Sequence, residues 1–360
     1  MPEQKEQRSH RLGIGFVGCG RVAQWIARFF EQPMQGAEVR CVSDLVEEKA
    51  RDMASRLSCE WCIGDEQLLC RDDIDLVVIM SESGHHYEHA NSALASGKHV
   101  VVEKPPCMFP AQIQELKQLA RKSGLMYAPV FQNRFNPAMR VLKEAQDTGR
   151  FGKLVCVSVR LFWCRYQEYY EDGWHGTWRM DGGVINQQAI HHVDAMRWVC
   201  GPVSSVIALQ DKRLNKLEAE DTTAAIVRFE DGALGTIEAT TAARPEDMDA
   251  SLTLIGEKGY ASIGGIALNK VNQWCFSDQV DDGEEVKRRW SQEVENGYGY
   301  SHGPLLQEII QRVNSDSIVP PISAESAADT VALIHSLYRS AEDRRPVYVN
   351  MGLLSRSLGF

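Results

Sequence analysis

The strongest constraint on the fold is a glycine-rich turn between a short apolar run and a helical pattern. Leu12–Val17 has the composition of a buried strand, and residues 18–23, with the sequence G-C-G-R-V-A, open a helix predicted over 21–30. In G-x-G-x-x-A the first glycine allows a tight turn, the second lets the main chain approach a phosphate, and the alanine permits close helix–strand packing. A strand, such a turn and a helix begin a βαβ unit, so a parallel sheet is expected.

The same alternation of strand and helix continues to about residue 131. Short apolar runs, such as the one that ends at Met80, are typical of strands buried on both faces of a parallel sheet. The predicted strands are 38–43, 75–80, 99–102 and 126–131, and the predicted helices are 46–57, 87–96 and 110–123. Residues 12–131 are therefore expected to form a Rossmann domain that binds a dinucleotide, after a flexible tail over residues 1–11.

Beyond residue 131 the pattern changes to longer strands with hairpin spacing. Asp231-Gly232 marks a tight turn between two of them. The predicted strands are 154–162, 204–210, 222–230, 235–241 and 251–256, and the predicted helices are 137–146, 182–200, 304–313 and 324–341. The expected fold class is α/β followed by α+β, in which residues 132–360 form a mostly antiparallel open sheet flanked by helices. Because helices cover one face, we expect the other face to associate with a second copy, as a homodimer or homotetramer.

Composition excludes several classes of partner. The net charge of −10 argues against nucleic acid as the main partner, because phosphate binding needs a basic surface. No apolar run is long enough to span a membrane, and the first eleven residues lack the apolar core of a signal peptide. Ten scattered cysteines are typical of reduced thiols in the cytoplasm. The single C-x-x-C pair, Cys59 and Cys62, lacks the further ligands that zinc needs, so no metal is expected.

Asp44 indicates which dinucleotide the predicted turn binds. It ends the second predicted strand, 26 residues after Gly18, where an acid can accept hydrogen bonds from the adenosine ribose. A carboxylate there repels a 2′-phosphate, and the next four residues, L-V-E-E, offer no basic replacement. The pattern therefore favours NAD over NADP. The alternative for Asp44 is a helix N-cap, which is compatible with the same position.

A Glu-Lys-Pro turn follows the strand at 99–102. Ligands bind at the carboxyl ends of parallel strands, so Lys104 is expected where a nicotinamide and a substrate meet. Partial desolvation beside a cationic ring would lower the pKa of Lys104 and make it usable as an acid or base. Pro105 fixes the turn and is compatible with a cis peptide bond. The alternative is a surface lysine beside a loop proline.

A dense polar segment, N-Q-Q-A-I-H-H-V-D, interrupts an otherwise apolar stretch. Gln187 and His191 are four residues apart and are expected on one helical face, and Asp194, three residues later, is expected to orient the His191 ring. A histidine among polar groups suits proton transfer near neutral pH. The alternatives are a core histidine, which is the preferred interpretation of His192, and a zinc ligand, for which a third ligand at useful spacing is missing.

Two further segments are rich in aromatic and polar side chains. Residues 160–170 read R-L-F-W-C-R-Y-Q-E-Y-Y, residues 173–179 read G-W-H-G-T-W-R, and residues 298–303 read Y-G-Y-S-H-G. Aromatic rings with arginine, glutamine and histidine suit stacking on a sugar and binding its hydroxyl or carboxylate groups. The alternative is a surface subdomain packed by its own aromatic rings.

The chain resembles the glucose-fructose oxidoreductase and inositol dehydrogenase (Gfo/Idh/MocA) family. The likeness runs from Leu12 onward through G-x-G-x-x-A, S-G-x-H and G-K-H-V-V-V-E-K-P. It implies that Lys104 is catalytic, with His191 as its acid–base partner. The residues then expected at the cofactor are Gly18, Cys19, Gly20, Arg21, Val22, Asp44, Ser81, Ser83, Gly84, His86, Glu103, Lys104, Gln132 and Arg134.

The later segments resemble one branch of that family, the UDP-N-acetyl-2-amino-2-deoxyglucuronate 3-dehydrogenases. This implies oxidation of a sugar C3 hydroxyl by NAD. The residues expected at the substrate are Lys104, Arg134, Asn136, Arg165, Tyr169, Trp178, Asn186, Gln187, His191 and His302. The family pattern is often D-x-G-x-H-x-x-D, but Gln187 stands at its first position and cannot exchange a proton. The open alternatives are a ketosugar reductase, an inositol-type dehydrogenase and a non-catalytic NAD sensor or scaffold.

Overall fold

The computed structural model describes residues 11–32 and 34–360, and it begins with a parallel sheet. This sheet has six strands in the order β3-β2-β1-β4-β5-β6, and every neighbouring pair is parallel. The strands are β1 Leu12–Val17, β2 Ala37–Asp44, β3 Glu60–Ile63, β4 Leu76–Ile79, β5 His99–Val102 and β6 Tyr127–Pro129. The helices of this half are α1 Arg21–Ala27, α2 Glu47–Leu57, α3 Glu66–Leu69, α4 His86–Ala95 and α5 Pro110–Ser123. The predicted tail lies outside the described residues except for Arg11.

The central strands are buried along their whole length, as their apolar sequences require. All residues of β1 and β4 are buried, because helices cover both faces of the sheet. The edge strand β3 and the short helix α3 were not predicted. Three of the four residues of β3 are exposed, so its sequence lacks the apolar run that identified the other strands.

The second sheet has eight strands in the order β13-β12-β11-β7-β10-β9-β8-β14. Only β7 and β10 pair in parallel, and the other neighbours are antiparallel. The strands are β7 Leu154–Phe162, β8 Val203–Asp211, β9 Thr222–Phe229, β10 Leu234–Thr240, β11 Asp249–Gly256, β12 Gly259–Gly264, β13 Lys270–Phe276 and β14 Val347–Tyr348. The predicted fold class, parallel followed by mostly antiparallel, is confirmed. Strands β12, β13 and β14 were not predicted.

Helices pack on one face of the second sheet. They are α6 Pro137–Asp147, α7 Val184–Gln187, α8 Ile190–Cys200, α9 Gly283–Trp290 and α11 Ala324–Asp343, whereas α10 His302–Asn314 packs beside residues 132–135 and donates from Asn314 to Gly36 of the first half. The long helix α11 contacts β8 of the second sheet and α5 of the first half, so it joins the two halves. One continuous hydrophobic core runs from Ile14 and Phe16 to Leu337 and Tyr338. No described helix has both the length and the apolar character needed to cross a membrane.

The segment at 182–200 differs from its prediction as a single helix. Gln188 and Ala189 separate the four-residue α7 from α8. Both pieces are buried over their whole lengths except for two residues near the end of α8. The break allows polar side chains of α7 and α8 to approach the first half of the molecule from separate directions. The predicted domain boundary, after residue 131, falls between the end of β6 and the start of α6.

Candidate active site

The glycine-rich turn leaves room for a phosphate at one of its two glycines. Gly18 has φ +93°, and a Cβ there would lie 2.7 Å from the Met80 carbonyl oxygen, so only glycine fits. Gly20 precedes the first residue of α1 with ordinary backbone angles, and a Cβ there would meet nothing within 4 Å. Ala23 is fully buried against the sheet. The open space above Gly20, at the positive end of α1, fits a pyrophosphate group.

Asp44 joins this turn to the start of α2. Its Oδ2 accepts a hydrogen bond from the Cys19 main-chain N–H at 2.8 Å, and its Oδ1 accepts one from the Val46 N–H at 2.8 Å. The side chain therefore supports both loops at the cofactor end of the sheet. The neighbouring Leu45 is exposed, and the carboxylate of Asp44 lies at the end of β2, so the predicted choice of NAD keeps its electrostatic basis.

The S-G-x-H and E-K-P segments meet at the carboxyl ends of β4 and β5. The two ring nitrogens of His86 lie 3.0 Å from the Ser81 carbonyl oxygen and 2.7 Å from that of Pro105. The Lys104–Pro105 peptide bond is cis. A Cβ at Gly84 would lie 2.6 Å from the sulfur of Met180, so this segment also touches the second half of the molecule. Ser83 is buried beneath it.

Lys104 reaches across to the second half of the molecule. Its half-buried ammonium donates to the main-chain oxygen of Gln187 at 2.5 Å and to the Gln187 side-chain Oε1. Burial lowers the pKa of Lys104, and the nearby carboxyl groups of Asp181 and Glu103 oppose this shift. Gln187 thus fixes the position of the ammonium group without being able to exchange a proton with it.

His191 lies within electrostatic reach of Lys104. The ring is buried with its edge toward Phe131, and its Nδ1 has no hydrogen-bond partner among the residues described. Burial lowers the pKa of His191 well below its ordinary value, and the charges of Lys104, His192 and His302 act in the same direction. The imidazole is therefore neutral near pH 7, with the other ring nitrogen available to a substrate hydroxyl.

Asp181 is a site residue that the sequence analysis missed. Its carboxyl group is buried; Oδ2 accepts a hydrogen bond from the Gly176 N–H at 2.9 Å, and Oδ1 lacks a partner in the described structure. Burial raises the pKa of Asp181 to about 8. In sequence, D-G-G is typical of a turn, so an Asp before two glycines gave no reason to expect a buried acid.

Three predicted roles need correction, because the side chains are used inside the protein. The Arg134 guanidinium forms a buried ion pair with Asp194, with N–O distances of 2.6 and 2.8 Å, and Thr330 also donates to Asp194 at 2.8 Å. Asp194 therefore holds Arg134 and does not orient His191, and we withdraw the predicted cofactor and substrate contacts of Arg134. Asn136 donates to the carbonyls of residues 267 and 268 and accepts from a serine hydroxyl, so its substrate role is withdrawn as well.

His302 lies behind the E-K-P turn. It is the first residue of α10, it is buried, and its Nε2 is 2.9 Å from Oε1 of Glu103. This contact fixes the residue before Lys104. The Nδ1 of His302 has no hydrogen-bond partner in the described part of the chain, so the predicted substrate contact of His302 stays a prediction beside this supporting role. Gln132 is also buried, and its Oε1 has no partner within the described part of the chain, so it stays available to the cofactor.

The aromatic segment of the second half covers the start of α1. The Arg21 guanidinium lies 4.4 Å from the centre of the Tyr169 ring and 3.1 Å from Nδ1 of His175. The Arg165 guanidinium forms an ion pair with Asp247 at 3.0 Å and lies 5.7 Å from the centre of the same Tyr169 ring. Both arginines and Tyr169 therefore lie together near the cofactor turn, as a sugar-binding segment would.

Trp178 and Asn186 contribute to the packing of that segment. The Trp178 ring packs edge-on against Tyr338, 5.3 Å between ring centres. Asn186 is buried and donates to the Asp181 carbonyl oxygen at 2.6 Å. These contacts agree with the alternative that the segment is packed by its own aromatic rings, and they make a direct substrate contact of Trp178 or Asn186 unnecessary.

Comparison with known proteins assigns the chain to a family. Residues 12–131 match the oxidoreductase family with an NAD-binding Rossmann fold, and residues 139–262 match the GFO/IDH/MocA C-terminal domain. The WlbA dehydrogenase from Bordetella pertussis, solved in complex with NADH and UDP-GlcNAcA, is 30% identical with a TM-score of 0.88, over 94% of this chain and 98% of that one.

Two curated relatives act on polyols and sugars. The myo-inositol 2-dehydrogenase of Thermotoga maritima is 26% identical over 93% of this chain and 98% of its own length. The D-glucoside 3-dehydrogenase of Escherichia coli is 28% identical over 64% of this chain and 67% of its own length. The phosphate turn, the buried lysine and histidine, and these likenesses agree, and the chain belongs to the GFO/IDH/MocA family of NAD-binding dehydrogenases.

Proposed function

We propose that this chain is an NAD-dependent dehydrogenase that oxidises the C3 hydroxyl of a nucleotide-linked, N-acetylated sugar acid. One observation carries the proposal: the Lys104 ammonium is bound to Gln187 at the carboxyl edge of the parallel sheet, where its charge acts on the neutral ring of His191. The similarity to a dehydrogenase solved with NADH and UDP-GlcNAcA, over nearly the full length of both chains, supports this substrate class.

The residues divide the proton chemistry between them. When bound, NAD would supply the hydride acceptor for the sugar carbon, and the turn at Gly20 would hold its pyrophosphate. The amine of Lys104 takes the proton of the same hydroxyl, and the desolvation that lowers the pKa of Lys104 favours the neutral amine that this step needs. His191, held neutral by burial, donates or accepts a hydrogen bond at the hydroxyl and orients it. Gln187 keeps the Lys104 side chain in place through two hydrogen bonds.

Arg165 and Arg21 are proposed to bind the negative charges of the substrate. Both lie against the Tyr169 ring, and the charge of Arg165 also acts on Lys104, so Arg165 lies close to the reacting end. Arginine is suited to carboxylate and phosphate groups because its N–H groups can bind two oxygens at once. Asp172 lies 3.3 Å from Arg21 and Asp247 lies 3.0 Å from Arg165, so a substrate anion would share these cations with the protein's own carboxylates. A neutral inositol would make no use of them.

The test is a comparison of substrates. We would incubate the purified protein with NAD and, separately, UDP-GlcNAcA, UDP-GlcNAc, D-glucose and myo-inositol, and follow the nicotinamide absorbance. The proposal expects the highest kcat/KM with UDP-GlcNAcA. Highest kcat/KM with myo-inositol would favour the second candidate, an inositol-type dehydrogenase, which the full-length likeness to the Thermotoga maritima relative supports. Measuring the reverse reaction with NADH and the keto product would decide between dehydrogenase and reductase.

The outer face of the second sheet is proposed to pair with a second copy of the chain. On that face Ile207 and Ile226 lie opposite each other in the register of β8 and β9, and both are exposed. Val155, Leu209 and Ile255 are also exposed there. Such apolar patches on sheets commonly mark interfaces. Light scattering after size exclusion should give a dimer or tetramer, and Ile226→Asp should shift it toward the monomer.

A further inference from the structure

Asp181 carries a buried carboxyl group that the proposed reaction does not use. Its Oδ1 has no hydrogen-bond partner in the described part of the chain, while Oδ2 is held by the Gly176 N–H. A buried polar atom without a partner costs about 1–3 kcal/mol. Packing alone therefore gives no reason for an acid at this position, and an amide or a smaller side chain would satisfy the Gly176 N–H equally well.

The short helix α7 follows Asp181 and contains Gln187, the residue that binds the Lys104 ammonium. Asn186, in α7, donates to the Asp181 carbonyl oxygen at 2.6 Å. The helix ends at Gln187, whose main-chain and side-chain oxygens accept from the Lys104 ammonium. Asp181 also lies within electrostatic reach of Lys104, and of the groups that favour the ammonium form it has the largest effect. These contacts place Asp181 just before the helix whose last residue binds Lys104, and the charge of Asp181 acts on that ammonium group.

Other charged and titratable groups also act on Lys104 or Asp181. Glu103 also favours the ammonium form of Lys104, but Oε1 of Glu103 already contacts His302. The positive charge of Arg165 disfavours the ammonium form. The remaining groups that act on, or respond to, Lys104 or Asp181 are His175, His191, Asp172, Arg21, Glu220, Tyr169, Tyr170 and Tyr338. Among the carboxyl groups, Asp181 alone combines the largest effect on Lys104 with a free buried oxygen in the described structure.

We propose that Asp181 is a positioning residue whose carboxylate determines the pH at which the Lys104 amine is free to accept a proton. The inference rests on the proposed function, since it gives Lys104 the acid–base role. Gln187 cannot supply this effect, because an amide carries no charge. Asp181 acts through Lys104 and needs no contact with the sugar.

The sign of the effect follows from the charges. Oxidation needs a neutral Lys104 amine, so the rate rises as pH passes the pKa of Lys104. Where Asp181 is ionised, its carboxylate stabilises the ammonium form of Lys104 and moves that rise to higher pH. Because burial raises the pKa of Asp181 to about 8, this effect grows as the pH passes that value. Removing the carboxylate should therefore move the rise to lower pH, by about one unit. The protonation of Lys104 is coupled to that of Asp181. The pH midpoint measured in the wild type is therefore a property of the pair and not of Lys104 alone.

The experiment measures the titration of Lys104 without requiring turnover. The acetylation rate of Lys104 by acetic anhydride would be followed as a function of pH, using mass spectrometry of the peptide that contains it. The variants are Asp181→Asn and Asp181→Ser, the second in case the amide disturbs the fold. Thermal melting and NADH fluorescence would verify that each variant is folded.

Glu220→Gln is the matched control. Glu220 is also buried, burial also raises its pKa to about 8, and its Oε2 also lacks a partner among the described residues. Its Oε1 accepts from the Ile185 N–H at 3.0 Å and from the Tyr338 hydroxyl at 3.1 Å, and it is not among the charges that act on Lys104. Since Glu220 disfavours ionisation of Asp181, its removal should leave the midpoint unchanged or raise it.

The expected result is a lower labelling midpoint in both Asp181 variants and no downward shift in Glu220→Gln. With substrate, the acid limb of the kcat profile should move by the same amount. A midpoint equal to the wild type in either folded Asp181 variant, or an equal downward shift in Glu220→Gln, would overturn the inference. Failure of every sugar to react would instead count against the proposed function, and the labelling would still decide the role of Asp181.

Discussion

The cofactor turn and the proposed acid–base cluster are built in different ways, although both lie at the carboxyl edge of the parallel sheet. The turn consists of contiguous residues, 18–23, and works through main-chain groups and missing side chains. The acid–base cluster takes Lys104 from the end of β5, and Asp181, Gln187 and His191 from segments about 80 residues later. The first site depends on local backbone geometry, and the second depends on how the two halves of the molecule pack. Mutations should therefore separate them.

The largest effect is expected from Lys104→Met. Loss of the acid–base amine should lower kcat by about 10²–10⁴-fold, while NADH binding measured by fluorescence stays near the wild-type value. Lys122→Met, at an exposed lysine at the end of α5, is the control and should change neither quantity. If Lys104→Met lost as much NADH affinity as kcat, Lys104 would belong to the cofactor site, and mutations would not separate the two sites.

Next in size is Asp194→Asn, which tests the corrected role of Arg134. The change leaves a buried guanidinium without its charge partner, and such losses cost about 3–5 kcal/mol of stability. Urea unfolding should show this decrease. Glu47→Gln, which removes an exposed ion pair with Arg51, should cost less than about 1 kcal/mol. If Asp194→Asn were as stable as the wild type but had an altered KM, Arg134 would instead take part in substrate binding.

The two glycines of the turn should respond differently to the same methyl group. Gly18→Ala forces a left-handed backbone on alanine and a contact with the Met80 carbonyl, so unfolding free energy should fall by about 1–2 kcal/mol or more. Gly20→Ala meets only open space, so stability should be unchanged while NADH affinity falls at least about tenfold, or about 1.4 kcal/mol. Thermal melting measures the stability of each variant, and NADH titration measures its affinity for the cofactor. Unchanged NADH affinity in Gly20→Ala would mean that the pyrophosphate lies elsewhere.

The smallest effect concerns cofactor choice. Asp44→Ser keeps a hydrogen-bond acceptor for the Cys19 and Val46 N–H groups but removes the charge. Two unit charges 4 Å apart interact by about 1 kcal/mol even in bulk water, so the preference for NAD over NADP in kcat/KM should fall at least about fivefold. An unchanged ratio would show that Asp44 acts only as a cap for the two loops.

The same contrast explains what the sequence could predict. Most strands of the parallel sheet and the G-x-G-x-x-A turn are local patterns, and they were found with errors of a few residues at their ends. The edge strand β3 escaped because it is mostly exposed, and α9 and the strands β12–β14 lacked a distinct pattern. The turn after β5 placed Lys104 at the carboxyl edge of the sheet, whereas its catalytic role came from the family resemblance and stays a prediction.

The partners of side chains were harder to predict, because they come from distant segments. Helical spacing suggested that Asp194 faces His191, but the guanidinium of Arg134, 60 residues earlier in the chain, is the partner of the Asp194 carboxylate. Asn136 was likewise engaged by carbonyl groups 131 and 132 residues away. Only the packing of the two halves reveals such contacts.

A structure of the chain with NADH and UDP-GlcNAcA would test most directly whether Lys104 and His191 converge on one substrate oxygen. The account predicts that Nζ of Lys104 and a ring nitrogen of His191 both lie within hydrogen-bonding distance of the oxygen on C3, with that carbon facing the nicotinamide. A sugar whose C3 oxygen contacts neither side chain, with Lys104 still bound only to Gln187, would contradict it.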